Sequence, residues 1–269
     1  MTSLHLGPLA LPMTSVIMIA SLILTFWLGN WIARKQGVNV EISLWLVLGA
    51  GLVAGRGAFL LAYWKNYAGN PWTILDVRDG GFSILAGLAG ALIAAVLLFR
   101  LRKAARKPLA IALFAGLSMW AGGTALLLAS SMQGRLPEVE LAGLDGKPLK
   151  LVSLSGKPIV INLWATWCPP CRREMPVLRD AQQANPDVVF VFANQGEPRE
   201  AVKEFLNATG LTLGNVMLDR NGAVAKQTGA SAMPTTLVFD SDGRLVASRV
   251  GEVSAAKLAQ LLEAGRKGR

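Results

Sequence analysis

At 269 residues, with 52% hydrophobic side chains and a mean hydropathy of +0.43, the chain has room for two domains and is too apolar for an ordinary soluble protein. Its net charge of +10 divides unevenly, with ten basic and three acidic side chains in residues 1–134 and seventeen and fourteen in residues 135–269. The basic residues of the first half fall mostly in short loops between apolar runs, which fits membrane topology and contact with anionic lipid headgroups and argues against nucleic-acid binding.

Residues 1–12 carry no lysine or arginine, and no small-residue cleavage site follows the first apolar run, so that run is expected to stay attached instead of being removed as a signal peptide. Four stretches reach the roughly 20 residues needed to span a hydrocarbon core: Met13–Ala33, Ser43–Tyr63, Phe82–Phe99 and Leu109–Met132. The third is the shortest, and its Ala86, Gly87, Ala89, Gly90 and Ala91 suit close helix packing, as do Gly116, Gly122 and Gly123 in the fourth. Arg34, Lys35, Arg100, Arg102, Lys103, Arg106 and Lys107 lie on one side of the spans, against Lys65 and Arg78 on the other. The positive-inside bias therefore puts the N-terminus outside, and an even number of spans exports everything after Met132.

Trp31, Trp64 and Trp72 stand near span ends, as interfacial anchors do. Arg56 is charged within the second span, which marks it as a functional candidate; alternatively, at roughly 10 Å from the span end, it snorkels outward. Asp76 and Asp79 in the following outer loop are its candidate partners. The order Arg56-Gly57, then Tyr67 and Asn70-Pro71, then Gly80-Gly81-Phe82-Ser83-Ile84-Leu85-Ala86-Gly87 resembles the first part of prolipoprotein diacylglyceryl transferase. That enzyme moves diacylglycerol from phosphatidylglycerol to the lipobox cysteine of prolipoproteins. The family histidine of the Gly-Gly motif falls on Leu85 here, and the later arginine-bearing signature has no counterpart. Leucine neither binds nor transfers a proton, so this half is expected to lack transferase activity and to anchor or dock.

A polar linker, Ser130 to Pro137, leads to Val139–Leu141 and Leu149–Leu151, which alternate around Asp145-Gly146 as a hairpin. The run Ile159-Val160-Ile161-Asn162-Leu163-Trp164 predicts a buried strand, and the amphipathic segment from Pro169 onward predicts a helix. Both cysteines of the chain, in Cys168-Pro169-Pro170-Cys171, fall where strand hands over to helix. The unpaired N–H groups and positive dipole end of a helix N-terminus favour a thiolate, and prolines at the first helical positions lose nothing by lacking an N–H. A spacing of three brings the Cα atoms within the roughly 4.4–6.8 Å that a disulfide requires. Cys168, at the exposed helix tip, is thus the attacking thiolate, and Cys171, one turn deeper, the resolving one. Two other readings compete. A zinc site needs about four ligands and the only histidine is His5; a purely structural disulfide would close a loop too short to remove much chain entropy. Redox exchange is favoured over both, with no metal and no cofactor.

The octet Trp164 to Cys171, with Pro176 and with Met233-Pro234-Thr235-Thr236, resembles thioredoxin-fold proteins of the TlpA/ResA/CcmG type, membrane-tethered thiol-disulfide reductases facing the outside of the bacterial inner membrane. The likeness runs from about Leu136 to the C-terminus. It implies that Pro234 is a cis-proline lying against the disulfide and receiving substrate backbone, alongside Trp167, Pro169, Pro170 and Met233. Where thioredoxin has a buried aspartate this chain has Asn162, which takes no proton. Glu174 matches the acid of the reductase branch, and an acid near the thiol pair raises thiol pKa values by repulsion. As an alternative, Glu174 is an ordinary first-turn glutamate favoured by the helix dipole. Arg172 and Arg173 are read as solvated basic surface.

Strands at Val188–Phe192, Val216–Leu218 and Leu237–Phe239 alternate with helices at Glu200–Asn207 and Ala223–Thr228; Asp242-Gly243 turns a hairpin into Leu245–Ala247, and Ser254 caps a last helix through Leu262. The expected fold is multi-domain: an α-helical transmembrane bundle of four spans over residues 1–134, then an α/β thioredoxin-like domain over 135–269. The expected activity is reduction of disulfides in an exported client protein. A third cysteine being absent, a separate membrane electron donor is implied, of the DsbD or CcdA kind by resemblance. Two rivals stand beside it: a thiol oxidase or isomerase using the same site, and a lipid- or lipoprotein-docking membrane module with an accessory redox domain.

Overall fold

The computed structural model describes residues 3–6, 9–67, 74, 80–131 and 134–267. It divides into two compact units, Leu11–Leu128, and Ala129–Arg269 with the first ten residues. At the N-terminus β1 (Ser3–Leu6) pairs with β2 (Leu9–Pro12), strands that the sequence had not indicated.

The first unit is helical: α1 (Met13–Lys35), α2 (Glu41–Ala62), the single turn α3 (Trp64–Tyr67), α4 (Ile84–Leu101) and α5 (Arg106–Ser131). The described residues hold four helices long and apolar enough to cross a membrane, and α4, at 18 residues, is the shortest. Large apolar side chains such as Ile23, Leu52, Leu61, Leu92 and Phe114 point outward, and small residues point inward, the inverse of a water-soluble bundle. On α1 the buried stripe is Ser21, Thr25, Gly29 and Ala33, spaced by four; the Thr25 hydroxyl donates to Ser21 O at 2.7 Å, so the buried oxygen is satisfied within its own helix.

Helices α2 and α4 approach most closely where neither has a side chain to keep them apart. A Cβ on Gly51 would lie 3.1 Å from Gly87 O, and one on Gly90 would lie 2.5 Å from Ala54 Cβ and 2.8 Å from Ala50 O. Ala91 shares that contact, whereas Ala89, expected to do so, is exposed. Gly116 abuts Thr25 and Gly123 abuts Ile17, but a Cβ on Gly122 would meet open space. Arg56 is held by the segment that follows its span: Nη1 donates to Gly81 O and Nη2 to Ile74 O, both at 2.9 Å, with the Phe59, Tyr67 and Phe82 rings 5.7–6.0 Å from the guanidinium carbon. Asn70-Pro71, Trp72, Asp76, Arg78 and Asp79 lie outside the described residues. Trp31 and Trp64 are about half exposed, and Lys35 Nζ sits 3.6 Å from the Trp31 ring centroid.

The second unit is a seven-stranded mixed sheet flanked by helices. Its elements are β3 (Glu140–Gly143), β4 (Pro148–Lys150), β5 (Ile159–Trp164), α6 (Pro169–Ala184), β6 (Val189–Gln195), α7 (Arg199–Thr209), β7 (Val216–Asp219), α8 (Ala223–Thr228), β8 (Thr235–Phe239), β9 (Leu245–Val250) and α9 (Ala255–Lys267). The order across the sheet is β4-β3-β7-β6-β5-β8-β9, with β5 parallel to β6 and antiparallel to β8. Every residue of β5 is buried. Val160 and Trp164 enter a core shared with Met175 and Leu178 of α6, Val202 of α7 and Leu258 and Leu262 of α9; Ile159, Ile161 and Leu163 face the other core, with Val224 of α8. Two covered faces explain why this strand reads as a continuous apolar run instead of an alternating one. Ser254 Oγ accepts from Lys257 N at 3.2 Å, so the last helix starts at its expected cap and runs five residues past Leu262. The fold is the expected one, a helical region with four apolar helices followed by a thioredoxin-like α/β domain.

Candidate active site

The sharp hand-over from β5 to α6 builds the site. Cys168 is the N-cap of α6, with an extended backbone, and Pro169 and Pro170 occupy the first helical positions. Its Sγ accepts the N–H of Cys171 at 3.3 Å, the cap hydrogen bond that a Ser or Asp oxygen makes at most helix starts. The two sulfurs are joined in a disulfide with Cα atoms 5.3 Å apart. A group that accepts an N–H as one half of a disulfide accepts it more strongly as a thiolate, so the helix start holds the anion in the reduced state.

Cys168 is not the exposed tip that the sequence implied. It is 4% exposed, because its sulfur is turned toward Cys171 and into the apolar cluster with Trp164 and Ala165; Cys171 is fully buried. The exposed surface beside the pair belongs to Trp167, 65% exposed, and to Pro169, with Pro170 half-buried. Met233 packs against the cluster that contains both cysteines, the Met233–Pro234 peptide is cis, and the buried Pro234 accepts Gly251 N at its carbonyl, 2.8 Å away. Pro176 is exposed within α6.

Glu174 is not a solvated first-turn glutamate. It is 1% exposed and points into the sheet, where Oε1 accepts from Asn162 Nδ2 at 2.8 Å and Oε2 from Val253 N at 3.0 Å. Burial raises its carboxyl to about 7; the hydrogen bonds from Asn162 and Val253 pull it back in part, and Glu252 pushes it up further. Asn162 Nδ2 also donates to Thr236 Oγ1 at 3.2 Å. Of the two arginines read as solvated surface, Arg173 ion-pairs with Glu252 at 2.7 Å, and Arg172 lies 5.5 Å from the centroid of the Phe205 ring, which packs against Trp164.

One residue of the site was missed. Glu197, only 9% exposed, accepts Thr166 N at 2.7 Å, the Thr166 hydroxyl, and Asn194 Nδ2 at 2.7 Å, tying the loop before Cys168 to the end of β6. Its sequence signal is only a carboxylate two residues past a strand end, next to a glycine. Among the described residues there is no cluster of histidine, cysteine or acidic side chains able to hold a metal ion. In the first unit, Leu85, which stands where the transferase family has histidine, is 82% exposed at the start of α4.

The Redoxin family matches residues 132–262, and the Prolipoprotein diacylglyceryl transferase family matches residues 2–144. The thiol-disulfide oxidoreductase ResA of Geobacillus thermodenitrificans is 32% identical over 129 residues, which cover 47% of this chain and 74% of that relative. ResA of Bacillus anthracis is 32% identical over 124 residues, 45% of this chain and 71% of its own. The solved structure of MTB dsbF in its mixed oxidized and reduced forms is 29% identical, covering 48% of this chain and 96% of that one with a TM-score of 0.46. The chain is thus a membrane protein in which two families are joined: its second half belongs with the ResA thiol-disulfide oxidoreductases, and its first half with the prolipoprotein diacylglyceryl transferase family.

Proposed function

We propose that the protein is anchored in the bacterial inner membrane by residues 1–134 and that its redox domain, 135–269, works on the outer side, reducing disulfides of exported proteins. The seven basic residues on one side of the spans support that orientation. The observation that carries the activity is the Cys168–Cys171 disulfide across the first turn of α6, with the outer sulfur already accepting a helix N–H.

In the reduced state the Cys168 thiolate attacks one sulfur of a client disulfide. A Cys168–client bond forms, the client S–S bond breaks, and the other client sulfur leaves as a thiolate. Cys171 then loses its proton and attacks Cys168 Sγ, which releases the second client thiolate and leaves the oxidised pair; two electrons pass to the client. Glu174, one turn along the same helix with its carboxyl held near 7, is the acid and base that serves these proton steps. Trp167, Pro169, Pro170, Met233 and Pro234 form the rim that receives the client backbone. A separate membrane donor of the DsbD or CcdA kind returns two electrons.

The match of residues 2–144 favours a second reading of the client. A prolipoprotein cysteine must be a free thiol to take diacylglycerol, so a redox domain joined to a transferase-like scaffold keeps that thiol reduced. With leucine at position 85 the scaffold docks the lipid or the lipoprotein without transferring anything.

Acid quenching of growing cells followed by alkylation reads the state of Cys168 and Cys171. The expected result is a mostly reduced pair; a mostly oxidised pair overturns the reductase reading in favour of an oxidase.

A further inference from the structure

Asn162, Thr236 and Glu174 come from β5, β8 and α6 and are all at 1% exposure or less. The Asn162 amide nitrogen spends both hydrogens, on Glu174 Oε1 at 2.8 Å and Thr236 Oγ1 at 3.2 Å, while Asn162 Oδ1 accepts nothing. Glu174 Oε2 accepts Val253 N. This is an arrangement for a carboxylate, since both of its oxygens accept.

Protonation of Glu174 changes the requirement. If the proton joins Oε1, that oxygen becomes a donor facing an N–H donor, and the contact turns unfavourable. A half-turn of the Asn162 amide removes the conflict at Glu174 and carries Nδ2 to the buried place where Oδ1 had no partner. Oδ1 then lies where Nδ2 was, accepts from the new carboxylic O–H, and accepts a second hydrogen from the Thr236 hydroxyl. The hydroxyl accepts in the first arrangement and donates in the second, which few side chains can do. An aspartate at position 162 would need a proton of its own to take part.

We propose that Asn162 and Thr236 form a proton-responsive pair in which the amide turns over as Glu174 gains or loses its proton, with Thr236 the positioning residue whose hydroxyl partners the Glu174-facing end of the amide both ways. The carboxyl held near 7 by burial makes both forms accessible at neutral pH. The proposal rests on the reading of Glu174 as the acid and base of the site.

The charges around Glu174 are few. Glu252, adjacent to Val253, acts on it directly and is ion-paired with Arg173 of α6. β8 carries no ionisable side chain, the buried face of α9 is Ala256, Leu258, Leu261, Leu262 and Gly265, and Lys257 Nζ donates to Gln260. Cys171 precedes Glu174 by three residues on α6. None of these changes in a Thr236→Val variant, so any change in the titration of Glu174 reads the lost hydroxyl.

Valine weakens the carboxylate form more than the acid form. With Glu174 ionised, one Asn162 N–H is buried without an acceptor; with Glu174 protonated, Oδ1 keeps the carboxylic O–H as its partner. The test uses the reduced full-length chain in detergent, labelled with 13Cδ-glutamate and side-chain 15N-asparagine, with Glu174→Gln and Asn162→Ala assigning the signals. In the wild type the Asn162 amide signals should move with the same midpoint as the Glu174 carboxyl. Thr236→Val should raise that midpoint by roughly one pH unit, and Thr236→Ser should restore it. An unchanged midpoint in Thr236→Val, or Asn162 signals indifferent to the titration, overturns the pair. A Glu174→Gln enzyme that keeps the wild-type pH–rate profile overturns instead the reading of Glu174 on which the proposal rests.

Discussion

Glu197 accepts the backbone N–H of Thr166 at 2.7 Å across 31 residues of sequence. Thr166 stands two residues before Cys168, so the carboxylate fixes the loop that leads into Cys168, and its hold on Asn194 anchors it to the sheet. Glu197→Ala takes the acceptor from three donors, the Thr166 N–H, the Thr166 hydroxyl and the Asn194 amide, for a loss of about 2–3 kcal/mol in stability and about tenfold in the rate of client reduction. Glu197→Gln keeps one acceptor oxygen and should lose less than half of that. Denaturant unfolding together with turnover on a disulfide peptide checks both; equal behaviour of the two variants would remove the anchoring role.

The buried carboxyl of Glu174 makes stability depend on pH with a definite sign. Folding raises its pKa from 4.5 to about 7, so between those values the folded chain holds a proton that the unfolded chain has released. Stability therefore falls as pH rises through that window and levels off above it, by about 3 kcal/mol in all. Glutamine does not titrate. Glu174→Gln should match the wild type near pH 5 and exceed it near pH 8, as read by unfolding of the full chain in detergent; a difference that stays constant with pH would contradict the burial argument.

If Cys168 attacks and Cys171 resolves, the two serine variants differ in kind. Cys171→Ser should accumulate a mixed disulfide between Cys168 and the client, visible on a non-reducing gel after acid quenching. Cys168→Ser should accumulate none and lose client reduction entirely. Trapping through Cys171 in the second variant would reverse the assignment.

In the membrane unit, Gly90→Ala puts a methyl 2.5 Å from Ala54 Cβ and 2.8 Å from a backbone oxygen, which cannot yield without spreading α2 from α4. The expected cost is about 1–3 kcal/mol. Gly49→Ala, where nothing lies within 4 Å, should be neutral or slightly stabilising through helix propensity. Aggregation midpoints in detergent distinguish the two.

The elements most legible in the sequence were those set by local chemistry. The apolar run at 159–164, the proline-opened helix, the Asp242-Gly243 turn and the Ser254 cap each rest on a few neighbouring residues, and each lies within a residue or two of its expected place. What needed the sheet order was hidden. Glu197 reaches Thr166 only because β5 and β6 lie side by side, with Trp164 opposite Asn194. The burial of Glu174 depends on Val253, 79 residues away. Cys168 looked exposed because a helix tip usually is; the bond to Cys171 turns its sulfur inward.

With two cysteines in the whole chain, able within it to join only to each other, a protein working as the proposed reductase carries a single pair of electrons when its disulfide is reduced. A client with two disulfides must be visited twice, with a recharge between. Throughput under abundant client is then set by how often the protein meets its reductant. In the proposed scheme the reductant shares the bilayer, which makes that a problem of lateral diffusion in a plane, so raising the amount of reductant should lift the flux where raising the amount of client does not.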